Sequence, residues 1–471
     1  MILHHISLLQ LENYDVKRFW RALMRRYVRT GSLRKNPVWT KKLLAITGCA
    51  WLFVCLEAAG GFFTEGSWGG IAGLMAGYAL FPLNLTMGTL VVMPLDALLK
   101  RRMLAAAKRK LALFPDMKII GITGSYGKTT MKEALAAILA EKYAVLSTPD
   151  SVNTPLGIAR LVAEKLDAKT EVFIVEMGAY RKGDIAELCA LVPPDVAVMT
   201  GVNEAHLERF GTLENTISAK FEIMDCAKEG AFVALNADDA AIVRSYGAHA
   251  RGRKIALYGS ASGNERADYA PEGGIRVSGD GLEQSFTIRG KGNEAYEART
   301  ALLGGYAAGT IAGAVAVAER LGLSRGETLR GIAMIRPVPH RLEPFLASGN
   351  VLVIDDSYNG NPAGAREAID VLGRFAARRK IYCTPGLVEM GPAAKAVHEA
   401  IGAKLAKTAD LVLLIRTDGS ERIKAGLEGA GFPADAIREF PTAQAAHAAL
   451  PGILQGGDVI LFQNDWPDNY F

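Results

Sequence analysis

The sequence has 471 residues, of which 22% are charged and half are hydrophobic, so it is long enough for about three domains and too apolar to be disordered throughout. Its five cysteines lie far apart without a C-x-x-C pair, which argues against a disulfide scaffold or a thiolate zinc site. Residues 1–110 carry 16 Lys and Arg against five acids, a net charge of +11. Because the whole chain has a net charge of +5, the other 361 residues have a net charge of −6. Positive charge is thus confined to the N-terminal part, so nucleic-acid binding along the whole chain is excluded.

Two long apolar runs dominate the basic N-terminal part. Leu43–Phe63 is interrupted only by Glu57, and Gly69–Leu95 contains no charged residue. At a rise of about 1.5 Å per residue, either run as a helix can cross a hydrocarbon core of about 30 Å. The linking segment Thr64–Trp68 is too short to be a domain. These features predict a transmembrane helical hairpin.

The flanking charges predict its orientation. Residues 17–42 contain ten Lys and Arg, residues 100–110 contain six, and the short linking segment contains none. The positive-inside rule therefore predicts both ends in the cytoplasm, with two membrane-spanning helices and the remainder of the chain on the cytoplasmic side. A cleaved signal peptide is excluded because the first apolar run starts too late and a second follows. A pair of helices buried in a soluble core remains the alternative.

Residues 1–35 allow two interpretations. Phe19 and Trp20 lie among several arginines, as in a basic amphipathic helix that lies on anionic lipid headgroups. A solvated arm that only sets the membrane topology is the alternative.

From residue 117 onwards, short β-branched runs alternate with helical periodicity, which predicts α/β domains with doubly wound parallel sheets. Residues 259–295 are rich in Gly and polar residues and predict short antiparallel strands. The prolines of Ile335–Pro339 predict the joint between two α/β domains. The predicted strands are 118–123, 172–176, 196–200, 232–235, 254–258, 351–354, 380–383, 411–415 and 459–462, and the predicted central helices are 129–142, 155–165, 216–229 and 306–321.

A phosphate-binding loop follows the first of these strands. The residues after the strand read Gly124-Ser125-Tyr126-Gly127-Lys128-Thr129-Thr130, and a helix is predicted next. Glycines let backbone N–H groups surround phosphate oxygens, the lysine reaches the terminal phosphates, and a Thr hydroxyl binds Mg²⁺. The usual first Gly of the longer G-x-x-x-x-G-K-[ST] motif is replaced by Ile122, so a plain glycine turn is the alternative.

Other chemistry-bearing residues follow later strands. Glu176 ends the strand that starts at Val172, at a carboxyl end where open α/β sheets bind ligands. His206 lies in the loop after the next strand, and Lys220 lies on a predicted helix. Taken alone, His206 is more simply interpreted as a structural histidine, and Lys220 as a surface lysine.

Together, these residues resemble the Mur ligase family. The resemblance covers about residues 117–471, and its later part is most similar to the MurF type, which adds D-alanyl-D-alanine. It is carried in family order by Gly121–Thr130, Val175–Gly178, Glu204–Glu208, Ala219–Ile223, Leu235–Asp239, Pro339–Glu343 and Ile354–Pro362.

The resemblance implies a P-loop central domain and a Rossmann-like C-terminal domain that together bind ATP and two Mg²⁺ ions. ATP phosphorylates a carboxylate, and an amine then attacks the acyl phosphate. The implied catalytic residues are Lys128, His206, Lys220 and Arg341. The implied ATP contacts are Gly124, Ser125, Tyr126, Gly127, Lys128, Thr129, Thr130, Asn236 (adenine), Arg341 (phosphates) and Asp356 (ribose), and the implied metal ligands are Thr129, Glu176, His206 and Lys220 as a carbamate.

The resemblance also gives candidate substrate residues, namely Asn153, Thr154, Tyr358, Asn359 and Glu389. Four of the residues assigned through the resemblance have a simpler alternative: Asn236 in an ordinary turn, Arg341 in a linker ion pair, Tyr358 in packing and Glu389 as a helix cap.

Three departures bear on the substrates. The hairpin occupies the place of the family's uridine-nucleotide-binding domain. Gly304-Gly305-Tyr306-Ala307 stands where the family has Gly-x-His-Asn, and the tail ends without the basic residues of the MurF type. The segment Thr384–Gly391 still resembles the loop where the incoming amine lies.

We therefore expect a membrane-anchored amide ligase of cell-wall synthesis with three parts: a basic arm and hairpin (1–110), an ATP-binding domain (111–336) and a C-terminal domain (337–471). Its expected partners are the bilayer, an amino acid or dipeptide amine, and a carboxylate acceptor that is UDP-linked or lipid-linked. A ligase for a different acceptor, as in polyamino-acid synthesis, and a nucleotide-binding membrane module without ligase activity are the alternatives.

Overall fold

The computed structural model describes residues 2–12, 14–26, 36–149, 152–202, 212–260, 264–292, 294–358, 360–388 and 390–463. The chain divides into two compact units, Met1–Ala106 and Ala107–Phe471. We describe each unit by itself. The domain boundaries expected at residues 110 and 336 stay predictions.

The first unit is helical and is built around an antiparallel hairpin. Its helices are α1 (Ile2–Leu11), α2 (Val16–Arg26), α3 (Lys41–Ala79) and α4 (Phe81–Leu111), the last of which continues into the second unit. The helical path of α3 is broken at Gly66, whose φ of 68° and ψ of −151° reverse the chain. Beyond this turn the chain returns along the first half of α3, and Lys42 reaches Asp96 across the hairpin at 2.8 Å.

Small residues allow the close packing of the hairpin. A Cβ atom added at Gly73 would overlap the Glu57 carbonyl oxygen, and one added at Gly69 would overlap the Gly61 carbonyl oxygen. The Glu57 carboxylate accepts a hydrogen bond from Asn84 Nδ2 at 3.2 Å. An interior carboxylate in this hairpin is therefore paired with an amide donor, as buried charges require.

The hairpin differs in detail from its prediction. The turn is the single residue Gly66 instead of a five-residue loop, because glycine alone readily adopts this left-handed backbone conformation. The second apolar run is not one helix: α3 ends at Ala79, and α4 begins after Leu80, with Pro82 in its first turn, where proline is tolerated. Both helices are long and apolar enough to cross a membrane, judged by length and composition.

Over the described residues 2–12 and 14–26, the helices α1 and α2 differ from both interpretations of the N-terminal arm. Phe19 and Leu23 are buried in one apolar cluster with Ile6 of α1 and Ile46 of α3. Trp20 Nε1 donates to Thr86 Oγ1 of α4 at 3.1 Å. The apolar side of α2 therefore packs against the hairpin and is neither laid on a lipid surface nor left in solvent.

The second unit begins with a six-stranded parallel sheet of order β2-β3-β1-β4-β5-β6. Buried residues of α5 and α10 pack on one of its faces. The strands are β1 (Lys118–Thr123), β2 (Val145–Ser147), β3 (Val172–Glu176), β4 (Val196–Met199), β5 (Phe232–Asn236) and β6 (Lys254–Tyr258); the helices are α5 (Lys128–Leu139), α6 (Pro155–Lys165), α7 (Asp184–Leu191), α8 (Leu213–Cys226), α9 (Ala240–His249), α10 (Gly305–Arg320) and α11 (Arg325–Ala333).

A three-stranded antiparallel sheet follows β6, as the sequence predicts, and consists of β7 (Ala270–Val277), β8 (Gln284–Arg289) and β9 (Ala295–Thr300). Its last strand extends beyond the predicted segment 259–295. It connects the two parallel sheets of this unit. Val277 and Leu282 pack against a cluster that contains Leu352 and Phe375 of the C-terminal part.

The C-terminal part is a second six-stranded sheet of order β10-β11-β15-β12-β13-β14. Its strands are parallel except for β10, which pairs with β11 in the antiparallel direction. The strands are β10 (Glu343–Ala347), β11 (Val351–Asp356), β12 (Lys380–Thr384), β13 (Leu411–Ile415), β14 (Ile437–Phe440) and β15 (Val459–Gln463); the helices are α12 (Pro362–Gly373), α13 (Ala394–Leu405), α14 (Asp418–Gly429) and α15 (Ala443–Ala449).

The parallel first sheet and the C-terminal sheet, which is parallel except for β10, confirm the predicted α/β class. Four of the nine predicted strands, at 118–123, 172–176, 254–258 and 411–415, have the predicted bounds, and the others differ by one or two residues at an end. The joint after α11 contains no helix, because its prolines cannot continue one.

The close packing of the hairpin gives a stability prediction. An alanine at Gly73 would overlap the Glu57 carbonyl, whereas nothing lies within 4 Å of a Cβ at Gly48 of the same helix. We expect Gly73→Ala to destabilise the hairpin by about 1–3 kcal/mol and Gly48→Ala to stabilise it by about 0.5–1 kcal/mol, since alanine is the better helix former. Thermal unfolding in detergent measures both; equal shifts of the same sign would contradict this packing.

Candidate active site

The phosphate loop connects β1 to α5 as the sequence predicts. Gly127 begins the helix with a φ of 75°, and Ser125 N donates to the Gly201 carbonyl at 2.7 Å. Lys128 Nζ donates to the Gly124 carbonyl at 2.8 Å, so the ammonium group folds back over the loop. Thr130 lies half-buried in the first turn of α5. The helix N-terminus and Lys128 therefore provide positive charge on the same loop.

An oxygen-rich pair lies beside the loop. Thr129 Oγ1 donates to Glu176 Oε2 at 3.1 Å, and Glu176 is buried at the end of β3. The backbone N–H of Glu176 donates to Thr148 Oγ1 at 3.0 Å, which fixes the strand end. A hydroxyl and a carboxylate are ligands that suit Mg²⁺. The structure thus brings together two of the four predicted metal ligands.

Lys220 is buried on α8. The simpler interpretation, a lysine on the helix surface, is therefore wrong. Burial, with the nearby Lys128 charge, lowers the pKa of Lys220 to about 7, although the carboxylates of Asp184, Glu222 and Glu176 oppose this shift. Lys220 therefore lies within electrostatic range of the phosphate loop. A lysine with this pKa has a large uncharged fraction near neutral pH, and an uncharged amine is nucleophilic.

Lys128 has a similar environment. Burial lowers the pKa of Lys128, the Glu176 carboxylate opposes that shift, and the Arg341 cation adds to it. Arg341 belongs to the C-terminal part of the chain, so a cation of that part acts electrostatically on the phosphate-loop lysine.

Arg341 lies between two residues with unusual backbone conformations. His340 and Leu342 have φ values of 62° and 46°, a region that residues other than glycine rarely adopt. His340 Nδ1 is 2.7 Å from Asp355 Oδ2, which ties the bend to β11. The Arg341 guanidinium lies over the Tyr358 ring at 4.8 Å. Among the described residues, the contact found for Arg341 is thus a cation–π contact and not the linker ion pair of the alternative interpretation.

Asp356 is held at the end of β11 by two donors. Gln463 Nε2 donates to Asp356 Oδ2 at 3.1 Å, and the Leu342 N–H donates to Oδ1 at 3.3 Å. Burial raises the pKa of Asp356 to about 6, although these bonds and Arg341 oppose the shift. The carboxylate is ionised at neutral pH and can accept hydrogen bonds from ribose hydroxyls.

Asn236 ends β5 and has two backbone partners. Its Nδ2 donates to the Thr200 carbonyl at 2.9 Å, and its Oδ1 accepts from the Asp238 N–H at 2.9 Å. The turn interpretation is therefore correct for the Oδ1 contact, whereas the Nδ2 contact joins the ends of β4 and β5.

The five candidate substrate residues fall into two groups. Thr154 caps α6 by accepting from the Gly157 N–H at 3.3 Å, and the Asn153 side chain lies against Gly178, two residues beyond Glu176. Tyr358 contacts Arg341. Asn359 and Glu389, like the predicted metal ligand His206, lie outside the described residues.

Sequence analysis did not assign three residues of the site to it. Tyr306 stands at the departure from Gly-x-His-Asn and lies against Tyr126 at a ring distance of 5.8 Å; its hydroxyl fills the space that a Cβ at Gly127 would need. Thr200 donates to the Tyr126 carbonyl. Gln463 accepts from the Tyr382 hydroxyl and donates to Asp356. The altered motif was a signal for Tyr306, but neither of the others has a local signal.

The sequence of this chain matches the profiles of two known protein domains. Residues 122–318 match the profile of the Mur ligase middle domain, and residues 340–463 match that of the Mur ligase, glutamate ligase domain. The chain belongs to the Mur ligase family. Like the other members of this family, it is an ATP-dependent ligase that forms peptide bonds.

Curated proteins similar to this chain include UDP-N-acetylmuramoyl-tripeptide–D-alanyl-D-alanine ligases. That of Mycobacterium tuberculosis H37Rv is 32% identical over 366 residues, which cover 73% of this chain and 70% of the relative. That of Escherichia coli K12 is 30% identical over 371 residues, which cover 77% and 76%. Among solved structures, MurF ligase from Thermotoga maritima in complex with ADP has a TM-score of 0.67 and 27% identity over 78% of this chain and 80% of that one.

The position of Tyr126 gives a prediction for this Mur ligase. A Cβ added at Gly201 would overlap the Tyr126 ring. We expect Gly201→Ala to lower the thermal unfolding temperature, and Gly201→Ala combined with Tyr126→Ala to recover most of the loss, with a coupling of about 1–3 kcal/mol. Additive effects in this double-mutant cycle would show that the ring does not lie there.

Proposed function

We propose that this Mur ligase joins D-alanyl-D-alanine to the terminal carboxylate of a muramyl-tripeptide precursor at the cytoplasmic face of a membrane. The observation that carries the proposal is the Thr129–Glu176 pair beside the phosphate loop, where the charge of Arg341 acts on Lys128 and that of Lys128 acts on Lys220. The names of the curated relatives supply the substrates.

The reaction has two steps. A carboxylate oxygen of the acceptor attacks the γ-phosphorus of ATP, ADP leaves, and an acyl phosphate forms. The uncharged amine of D-alanyl-D-alanine then attacks the acyl carbon, the tetrahedral intermediate expels phosphate, and one proton is released. Lys128 and Arg341 stabilise the negative charge that moves with the phosphoryl group. Asn236 is assigned to the adenine, and Asp356 to the ribose hydroxyls.

The donor set fits magnesium. Thr129 and Glu176 offer hard oxygen ligands side by side, and Lys220 can supply another as a carbamate. His206 completes the proposed set. Bound Mg²⁺ would neutralise phosphate charge in this buried site.

Lys220 has the chemistry that carbamylation needs. Its lowered pKa, about 7, leaves an uncharged amine that attacks CO₂, and loss of a proton gives a carbamate. The product replaces a buried cation beside Lys128 with an anion, which removes a repulsion at the site. This exchange of charge supports the assignment of Lys220 as a modified metal ligand.

The substrate residues divide between the two parts of the site. Asn153 and Thr154, beside the carboxyl end of β3, are assigned to the acceptor. Tyr358, Asn359 and Glu389 are assigned to the C-terminal side, where the segment 384–391 receives the incoming amine.

The hairpin supports a membrane location. Its helices are long enough to span a bilayer, and they expose large apolar side chains such as Phe63 and Trp68. Basic residues follow at Lys100–Lys110, as expected for a cytoplasmic flank. An acceptor carried on a lipid would be concentrated at this surface, whereas a UDP-linked acceptor reaches it from solution.

The substrates are tested by phosphate release from the membrane-embedded enzyme. We expect release to require ATP, D-alanyl-D-alanine and a muramyl-tripeptide, offered in UDP-linked and lipid-linked forms. Lys128→Met should reduce turnover by at least about 10²-fold, since it removes a transition-state cation, and the exposed Lys165→Met should not. Turnover with other amines but not with D-alanyl-D-alanine would overturn the proposed substrate.

The carbamate is tested at Lys220. Lys220→Ala should lose most of its turnover and regain part of it when short carboxylic acids are added, because a carboxylate can take the place of the carbamate. Lys128→Met serves as the matched control, since acetate should not restore it. Wild-type turnover in Lys220→Ala would contradict a catalytic role, and absence of rescue would contradict the carbamate.

Membrane anchoring is tested by fractionation. The full-length chain should sediment with membranes and resist extraction by high salt and alkaline carbonate, whereas a chain without residues 1–110 should not. A full-length chain released by salt alone would contradict a spanning hairpin.

A further inference from the structure

The segment after β12 leaves the C-terminal sheet at the same edge as Asp356. The strands β11, β15 and β12 lie side by side in parallel, so their carboxyl ends meet at one edge. Asp356 ends β11, Gln463 ends β15, and Thr384 ends β12. Open α/β sheets bind ligands at this edge. The inference below rests on the proposed function, which assigns the incoming amine to this segment.

Side chains from three elements hold three consecutive residues of this segment. The Gly386 N–H donates to Thr384 Oγ1 at 2.9 Å, and the Thr417 hydroxyl at the start of α14 donates to the Pro385 carbonyl. The Leu387 N–H donates to Nε2 of His398 on α13 at 2.9 Å. The backbone at residues 385–387 is therefore fixed by its surroundings.

His398 uses both ring nitrogens for this purpose. The side chain is only 2% exposed, and its Nδ1 lies 2.6 Å from the Ala394 carbonyl one turn earlier in α13. A carbonyl only accepts and a backbone N–H only donates, so the proton must be on Nδ1 and the lone pair on Nε2. The geometry thus requires one neutral tautomer.

The surrounding chain leaves space for this ring. A Cβ added at Gly419 would come within 2.9 Å of His398 Nε2, and one at Gly386 within 3.1 Å. Gly386 also has a φ of +91°, which disfavours any other residue. Two glycines from different elements therefore allow the imidazole to reach the Leu387 N–H.

We propose that His398 is the positioning residue for the incoming amine: its imidazole holds the Leu387 N–H and so fixes the segment 384–388 that receives D-alanyl-D-alanine. The imidazole does not touch the substrate. Its role is to keep the amine-binding backbone in one conformation, so that binding of the amine does not have to order this segment first.

The test compares two substitutions of His398 in the full-length enzyme. His398→Gln keeps an acceptor and a donor separated by one carbon, as the ring nitrogens are, whereas His398→Met keeps only similar bulk. We expect His398→Met to raise KM for D-alanyl-D-alanine at least about tenfold while KM for ATP changes less than twofold, and His398→Gln to restore most of the affinity. Lys395→Met, an exposed position on α13, is the control.

Hydrogen–deuterium exchange of the peptide covering residues 384–388 gives a readout that does not depend on activity. We expect faster exchange there in His398→Met, with exchange in β13 unchanged. Faster exchange without a change in KM for the amine would overturn the proposal, as would equal rises in KM for the amine and for ATP. Failure of the proposed function is distinct, since wild-type enzyme would then release no phosphate with D-alanyl-D-alanine.

Discussion

Buried positive charge is the constraint on which the active site depends. Lys220 is buried and Lys128 is half-buried, and the charge of Lys128 contributes to the lowered pKa of Lys220. Glu176 offsets part of this charge, but its carboxylate is also bonded to Thr129. Because Coulomb energies are large where solvent is excluded, a polyanion such as the ATP triphosphate gains more here than at an exposed surface. The site is therefore prepared for phosphate before any ligand arrives.

The second constraint is close packing against glycine residues, which have no Cβ atom. The Tyr306 hydroxyl occupies the space beside Gly127, and the Tyr126 ring lies against Gly201. In the hairpin, the Glu57 backbone packs against Gly73 in the same way. In each case the absence of one Cβ atom allows a side chain or backbone to come closer than any other residue would permit. These glycines are therefore fixed by packing with distant partners, and only some of them by their own backbone angles.

The contrast between local and distant determinants explains what the sequence predicted. The phosphate loop and Glu176 are encoded in strand–loop–helix motifs a few residues long, so their places in the fold followed from pattern alone. Lys220 was predicted only through resemblance, because its burial depends on the packing of α8. Gln463 and His398 gave no local signal, since each acts through a hydrogen bond to a residue distant in the chain or across a loop.

The N-terminal helices illustrate the same limit. Composition predicted the hairpin, because apolar length is a property of the chain itself. It did not predict the one-residue turn at Gly66 or the break at Leu80, which depend on backbone angles. Nor did it predict that Phe19 and Leu23 are buried against the hairpin, since an amphipathic helix has the same pattern whether its apolar side meets lipid or protein.

Electrostatic interactions of Arg341 and Asp356 link the two six-stranded sheets of the second unit. Arg341 adds to the positive charge around Lys128, and this repulsion between like charges is unfavourable. It also favours the ionised form of Asp356, against the effect of burial. A nucleotide with its phosphates between Lys128 and Arg341 and its ribose at Asp356 would convert that repulsion into two attractions. We therefore expect ATP to act as an electrostatic tie between the two parts, which explains why the cations of one site come from both sides of a proline-rich joint.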